Sequence, residues 1–235
     1  MFGRRRNVRR SRIERLWRPH LDWYEYPAWL ALTPAAGAYR TALGLRGIYW
    51  RMFARRANVA TIGIGNLTVG GSGKTPFALF VANRLLARGL QTAIASHGYG
   101  RTGRRAMLVA DRTGIKAEPA QAGDEPAMMS RAFAGPISVA RRRIDAIELL
   151  RAVAALDVVV LDDAFQHARL RRDIDLLLIN AEHEFGNGWL LPAGPMREPR
   201  SAARRADAIV LISSSDDRGE AASQGNAAWF GSALR

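Results

Sequence analysis

One stretch constrains this chain more than any other: Thr68-Val69-Gly70-Gly71-Ser72-Gly73-Lys74-Thr75. It follows a short aliphatic run, 59–65 (VATIGIG), and opens a helix-compatible run over 74–88. Glycines let successive backbone N–H groups curl around a phosphate, and the helix behind them adds free amides and the positive end of its dipole. A lysine at this point reaches the β- and γ-phosphates, and the hydroxyl after it ligates Mg²⁺. The strict motif has glycine where Thr68 stands. The order strand, glycine turn, Lys-Thr, helix is nonetheless intact, and that context separates a phosphate loop from a chance glycine turn.

The rest of the chain agrees with such a loop. Strand candidates are 59–65, 91–95, 137–140, 157–161, 175–180 and 207–212, with helical stretches at 74–88, 124–133 and 143–155 between them. Strands that are apolar throughout and alternate with helices predict an α/β fold: a P-loop NTPase-like, mostly parallel sheet with helices on both faces, over residues 58–213. In such a fold the metal carboxylate stands at the C-terminal end of a strand facing the loop. Asp157-Val-Val-Val-Leu161 followed by Asp162-Asp163 fits that place. Gly123-Asp124-Glu125-Pro126 is a second acidic turn. Asp124 reads either as a helix N-cap or as the carboxylate that takes a proton from an attacking hydroxyl, and spacing by itself favours the cap. His167 reads as structural. No Asn-Lys-x-Asp tetrapeptide is present to read guanine.

Charge is distributed unevenly. The formal charge is +14, but residues 1–110 carry 19 Lys and Arg against 3 acids, and residues 111–235 carry 16 against 18. The basic half predicts an anionic partner, whether nucleic acid, phosphorylated lipid or nucleotide. With no cysteine, disulfides, zinc fingers and thiol nucleophiles are excluded. Residues 1–26 read as a basic, disordered tail. Residues 27–57 are apolar but interrupted by Pro34 and Arg40, too short a run to span a bilayer. From Ala35 they suit a helix lying at a membrane interface, with a helix packed on the core as the rival. Residues 214–235 are small and polar and read as a linker or the start of a truncated lobe. A basic binding protein for nucleic acid is the non-enzymatic alternative, although no aromatic-interleaved recognition motif accompanies the charge.

Further blocks carry a resemblance. Gly65-Asn66-Leu67 before TVGGSGKTP, then SHGYGR (96–101), GDEP (123–126), DDAFQH (162–167), RRDIDLLL (171–178) and FGNGWLLPAGPMREP (185–199), occur in that order. Together they resemble the tetraacyldisaccharide 4'-kinase family of lipid A biosynthesis. The resemblance implies an ATP- and Mg²⁺-dependent kinase at the cytoplasmic face of the bacterial inner membrane. It would act on the 4'-hydroxyl of a tetraacylated glucosamine disaccharide 1-phosphate, beside an anionic lipid surface and with no nucleic acid partner. It implies Asp124 as catalytic base, Asp162 and Asp163 as paired acids near the metal with Thr75, and Glu198 as a further metal-site carboxylate. Two departures stand out: His97 where the family usually has Arg, and Ala164 where it has Gly. The family also implies a second lobe bearing a histidine, unmatched after Arg200, so an incomplete or catalytically impaired kinase is the alternative expectation.

Overall fold

The computed structural model of the chain describes residues 12–18, 20–70, 73–98, 103, 105–117, 119–181, 184–213 and 227–230. Two helices come first, α1 (Arg12–Arg15) and the 28-residue α2 (Tyr26–Phe53). The elements that follow are β1 (Arg55–Arg56), β2 (Ala60–Asn66), α3 (Lys74–Ala87), β3 (Thr92–Ser96), β4 (Met107–Asp111) and β5 (Gly114–Ile115). Next come α4 (Pro119–Ala122), α5 (Asp124–Ala132), β6 (Ile137–Val139), α6 (Arg143–Val153), β7 (Val158–Leu161), β8 (Leu170–Arg171) and β9 (Ile174–Asn180). A 3-10 helix (Arg200–Arg205), β10 (Ala208–Ile212) and β11 (Ala227–Phe230) complete the order.

Among the described residues nine strands form one sheet in the order β11-β10-β9-β2-β7-β3-β6-β4-β5. The six strands from β10 to β6 run parallel, and β4, β5 and β11 pair antiparallel at the two edges. The centre is apolar on both sides because both sides are covered: every residue of β3 and β7 is buried. Ile64, Ala78, Ile94, Met129 and Val160 belong to the core on the face covered by α3 and α5. Ala93, Ala146, Ile147, Leu150 and Val159 build the opposite core under α6. A third cluster, including Leu67, Phe165, Leu177 and Met196, fills the end of the sheet where Tyr39 and Leu43 of α2 pack.

The expected α/β sheet is thus present, with differences at its margins. The β4–β5 hairpin is absent from the strand expectations; its signal is the apolar run Met107–Ala110 ended by an Asp-Arg-Thr-Gly turn. The segment expected to be a linker supplies edge strand β11, whose backbone pairs Ile209 with Phe230 through Ile212 with Ala227; residues 214–226 and 231–235 lie outside the described residues. The basic tail is disordered by expectation, yet Leu16 and Trp17 dock on the domain. The Trp17 indole N–H donates to the Pro192 carbonyl at 3.0 Å, and Asn187 Nδ2 donates to the Leu16 carbonyl at 2.9 Å. Residues 1–11 lie outside the described residues.

Helix α2 starts at Tyr26, nine residues before the expected Ala35, and carries Pro34 in its interior. Proline leaves the carbonyl four residues back without its amide donor. Here that carbonyl belongs to Leu30, and the Thr33 hydroxyl donates to it at 2.8 Å, so the helix continues. One stripe of α2 packs inward. The Trp29 indole donates to the Ala193 carbonyl at 3.0 Å and meets Trp189 edge-on at 5.0 Å, and the Tyr39 hydroxyl donates to the Arg197 carbonyl at 2.9 Å. The other face leaves Leu45, Ile48, Met52 and Phe53 exposed, Met52 by 72%. Core packing and an exposed apolar surface therefore coexist on one helix. Among the described residues no helix is long and apolar enough to cross a membrane.

Candidate active site

The glycine turn leaves the C-terminal end of β2 and enters α3 at Lys74. Gly73 adopts φ +68° and Gly70 φ +115°, both in the region that favours glycine. Pro76 sits in the first turn of α3, where an amide would have no helical partner anyway. Gly71 and Ser72 lie outside the described residues. The turn is tied down by its flank: the Val69 amide donates to the Pro195 carbonyl at 2.8 Å and the Arg197 amide to the Leu67 carbonyl at 2.7 Å, with Thr68 bridged to Met196. The 185–199 block therefore acts as a buttress, holding α2 on one side and the phosphate loop on the other.

Asp162 follows β7, the parallel neighbour of β2, and so arrives at the same sheet edge. It is buried. The Thr75 hydroxyl donates to Asp162 Oδ2 at 3.3 Å and the Ser96 hydroxyl to the same oxygen at 3.5 Å. Asp162 Oδ1 is buried with no hydrogen-bond partner. Burial pushes this carboxyl up to about 6, with Asp163 and Glu125 raising it further against the pull of Arg143 and Lys74. A half-satisfied buried carboxylate beside a threonine hydroxyl is costly unless something occupies it. Its oxygens suit Mg²⁺, which uses one or two protein carboxylates plus phosphate and water. Among the described residues no three His, Asp or Glu side chains converge to cage a metal by themselves.

Asp163 faces the other way. Its carboxylate lies 3.8 Å from Lys74 Nζ and 3.1 Å from Arg197 Nη1, and its backbone is left-handed at φ +47°. Arg143, buried at the start of α6, donates to the Asp162 carbonyl at 2.6 Å and the Asp163 carbonyl at 3.3 Å, bracing the turn from below. Sequence reasoning overlooked this arginine, whose signal is a charged residue opening a helix after a parallel strand. Ala164 is buried, and the left-handed residue of the turn is Asp163 rather than Ala164. Alanine therefore meets no left-handed backbone strain at the position of the family's glycine.

The remaining expected residues divide. Asp124 opens α5 and is exposed, with Gly123 at the N-cap. Its neighbour Glu125, which the sequence did not single out, lines the same cavity as Asp162, Asp163, Ser96 and Arg143. The Glu198 carboxylate is bound to Arg205 Nη2 at 2.5 Å, and that guanidinium stacks on Phe165. It braces the turn after Asp163 through Arg205 and Phe165. His167, expected to be structural, is half-buried, and burial pushes its imidazole down to about 3, with Arg143, Arg172, Arg169 and His97 adding to the effect.

Sequence and structure comparisons identify proteins that this chain resembles. The family described as LpxK, tetraacyldisaccharide-1-P 4'-kinase, matches residues 28–233. A tetraacyldisaccharide 4'-kinase of Anaeromyxobacter sp. (strain K) is 42% identical over 211 residues, covering 86% of this chain and 54% of the relative. One from Aeromonas hydrophila subsp. hydrophila is 37% identical over 211 residues, covering 88% and 61%. The crystal structure of LpxK from Aquifex aeolicus in complex with ATP superposes with a TM-score of 0.72 at 32% identity, covering 78% of this chain and 58% of that one. The chain thus spans between half and two thirds of the length of these relatives. With the family match running through both the phosphate loop and the carboxylate turn that faces it, this chain belongs to the tetraacyldisaccharide-1-P 4'-kinase (LpxK) family.

Proposed function

We propose that this chain is an ATP-dependent kinase acting on the 4'-hydroxyl of a tetraacylated glucosamine disaccharide 1-phosphate, a precursor of lipid A. The observation that carries the reading is the Thr75 hydroxyl set against a buried, half-satisfied Asp162 carboxylate at the mouth of the glycine turn. The amides of Thr68 to Thr75, with the start of α3 behind them, cradle the ATP phosphates. Lys74 exchanges its loose 3.8 Å pairing with Asp163 for the β- and γ-phosphates. Thr75 and Asp162 would hold Mg²⁺, which when bound would supply charge neutralisation for phosphoryl transfer. Asp163 orients Lys74 and Arg197 around the phosphates.

Asp124 takes the proton from the sugar hydroxyl. It opens α5, which packs on β6 and leads into it, so the start of the helix lies at the C-terminal edge of the parallel strands. Glu125, one residue on, extends the carboxylate surface into the cavity. Most of the rate enhancement would come from positioning and electrostatics, since phosphoryl transfer asks little covalent chemistry of the protein.

The exposed face of α2 seats the chain on the anionic cytoplasmic surface of the inner membrane, where the acceptor resides. The buttress 185–199 then links that helix to the phosphate loop. Transfer of labelled γ-phosphate from ATP to a tetraacyldisaccharide 1-phosphate tests the reading. Transfer should vanish in Lys74→Ala; near-normal turnover in that variant, or MgATP failing to bind the wild-type chain, would refute it.

A further inference from the structure

A cavity of about 450 Å³ lies between α2 and the 185–199 buttress. Thr33, Gly37 and Arg40 line it from α2, and Trp189, Arg200 and Ser201 line it from the facing wall. It shares no lining residue with the cavity that holds Asp162 and Glu125. Arg40 and Arg200 are its charged members, and no acid lines it. The Arg200 guanidinium lies 4.9 Å above the Phe185 ring, and a Cβ on Gly188 would come within 2.9 Å of its Nη2. Packing, with no carboxylate, therefore holds it in place. Among the described residues the Arg40 guanidinium and the Ser201 hydroxyl make no hydrogen bond or ion pair.

The place of this cavity on α2 sets what can reach it. At 3.6 residues per turn, Thr33, Gly37 and Arg40 form one stripe. That stripe runs between the inward-packed Ala36 and Leu43 and the exposed Leu30, Leu45 and Ile48, so the cavity borders the apolar face. Trp23, Tyr24 and Tyr26, just ahead, are exposed as well, and aromatic rings with a polar edge collect at the headgroup level of membranes. Gly37 keeps the wall open: a Cβ there would meet nothing within 4 Å, although glycine weakens a helix interior. Two uncompensated guanidinium groups beside an apolar face suit a ligand with an anionic head and hydrocarbon tails. Guanidinium forks match phosphate oxygens in pairs, and the serine hydroxyl adds a further donor.

We infer that this cavity binds the phosphodiester headgroup of an anionic glycerophospholipid, a molecule other than the acceptor, with its acyl chains lying along the exposed face of α2. The inference rests on the proposed membrane seating of that helix and is independent of the chemistry at Asp162. A free anion would gain nothing from the apolar border, whereas the chains of a lipid cover Leu30, Leu45 and Ile48. A headgroup bridging Arg40 and Arg200 would also tie α2 to the segment that flanks the phosphate loop.

The test is equilibrium binding of the full chain to phosphatidylglycerol carried as a trace component of neutral detergent micelles, which have no surface charge of their own. Two variants probe the cavity by different means. One carries Arg40→Gln with Arg200→Gln, and should lose roughly 10- to 100-fold in affinity, as expected for two charge-assisted contacts. The other, Gly37→Leu, fills the cavity without changing charge, entering space that an added Cβ finds open, and should lose affinity to a similar degree. A control, Arg51→Gln with Arg55→Gln, removes the same charge near the end of α2 and should keep wild-type affinity. MgATP affinity should be unchanged throughout. Wild-type lipid affinity in either cavity variant, or an equal loss in the control, would overturn the inference. So would displacement of the lipid by inorganic phosphate at comparable concentration, which would make the cavity a free-anion site. A matching loss of affinity for the tetraacylated disaccharide 1-phosphate would give the cavity to the acceptor and overturn it too. Flotation with phosphatidylcholine vesicles containing phosphatidylglycerol separates this site from the seating of α2. A chain that binds the lipid in micelles but floats with no vesicle keeps the cavity and loses the seating. A chain that floats while both cavity variants keep wild-type lipid affinity does the reverse.

Discussion

Gly65 is the position where a single methyl group should dismantle the site. It is buried in β2, and a Cβ placed there would lie 2.5 Å from Phe165 Cβ, 2.8 Å from the Phe165 amide nitrogen and 3.2 Å from Phe165 Cα. Carbon atoms in contact sit at roughly 3.5–4.0 Å, so the 162–166 turn would have to retreat by about 1 Å. Two bonds hold that turn on the strand, the Ala164 amide to the Ile64 carbonyl at 2.8 Å and Gln166 Nε2 to the Asn66 carbonyl. Retreat weakens both. Overpacking costs about 1–3 kcal/mol and each weakened hydrogen bond about 1 kcal/mol more. Gly65→Ala should therefore lose roughly 3–5 kcal/mol, a large part of a typical total of about 5–15 kcal/mol. The same shift draws Asp162 from Thr75, and misplacement by about 1 Å can cost on the order of 100-fold in rate. The assay is urea unfolding with MgATP affinity measured on the same samples. Gly44→Ala is the control: nothing lies within 4 Å of its Cβ, and it should gain about 0.5–1 kcal/mol in the α2 interior. A Gly65→Ala protein with the wild-type urea midpoint and MgATP affinity would refute the packing argument and the link from β2 to the carboxylate turn.

Asp124→Asn should leave MgATP affinity unchanged and slow transfer by roughly 10²–10⁴-fold, whereas Glu125→Gln should slow it less; single-turnover transfer separates them, and the reverse order would move the base to Glu125. His167 makes the fold acid-sensitive. Its imidazole is pushed down to about 3 while the unfolded chain takes a proton near 6.5, so the stability it confers is complete above pH 6.5 and is lost as pH falls toward 3. By pH 5 that loss is roughly 2 kcal/mol. Asp162, raised to about 6, has the opposite sign and gains stability as pH falls through 6, so the difference between wild type and His167→Gln in urea midpoints at pH 7.5 and 5.0 isolates the histidine. A pH dependence unaltered by the substitution would discount its buried neutral state. Arg143→Met removes the donors to the Asp162 and Asp163 carbonyls. It should cost roughly 2–4 kcal/mol and weaken MgATP binding, read by thermal unfolding with and without nucleotide.

Local features were legible wherever a residue type is demanded by its own backbone or its immediate neighbours. The glycine turn, the Lys-Thr that opens α3, the apolar strands and the Asp162-Asp163 end of β7 all follow from short-range chemistry. Helix α2 was misread at its start because Pro34 breaks a helix on local rules, and the Thr33 hydroxyl that rescues the Leu30 carbonyl is a property of the folded turn. The edge strands β4, β5 and β11 are short and gain their identity from a neighbour, β6 or β10, that the local sequence does not contain.

The division of labour among the carboxylates was beyond the sequence for the same reason. Asp162 and Asp163 are adjacent and chemically identical, yet one turns toward Thr75 and the other toward Lys74 and Arg197, because φ at Asp163 is left-handed and Arg143 holds both carbonyls. Glu198, expected as a further acid near the metal, is paired with Arg205, a partner its own sequence block does not indicate. The sequence by itself determined that a triphosphate loop and a carboxylate would share one edge of a parallel sheet, since each sits directly after an apolar strand. Only the tertiary structure decided which oxygens meet there, and that arginines distant in the chain border the same opening, because those contacts join residues that no spacing rule relates.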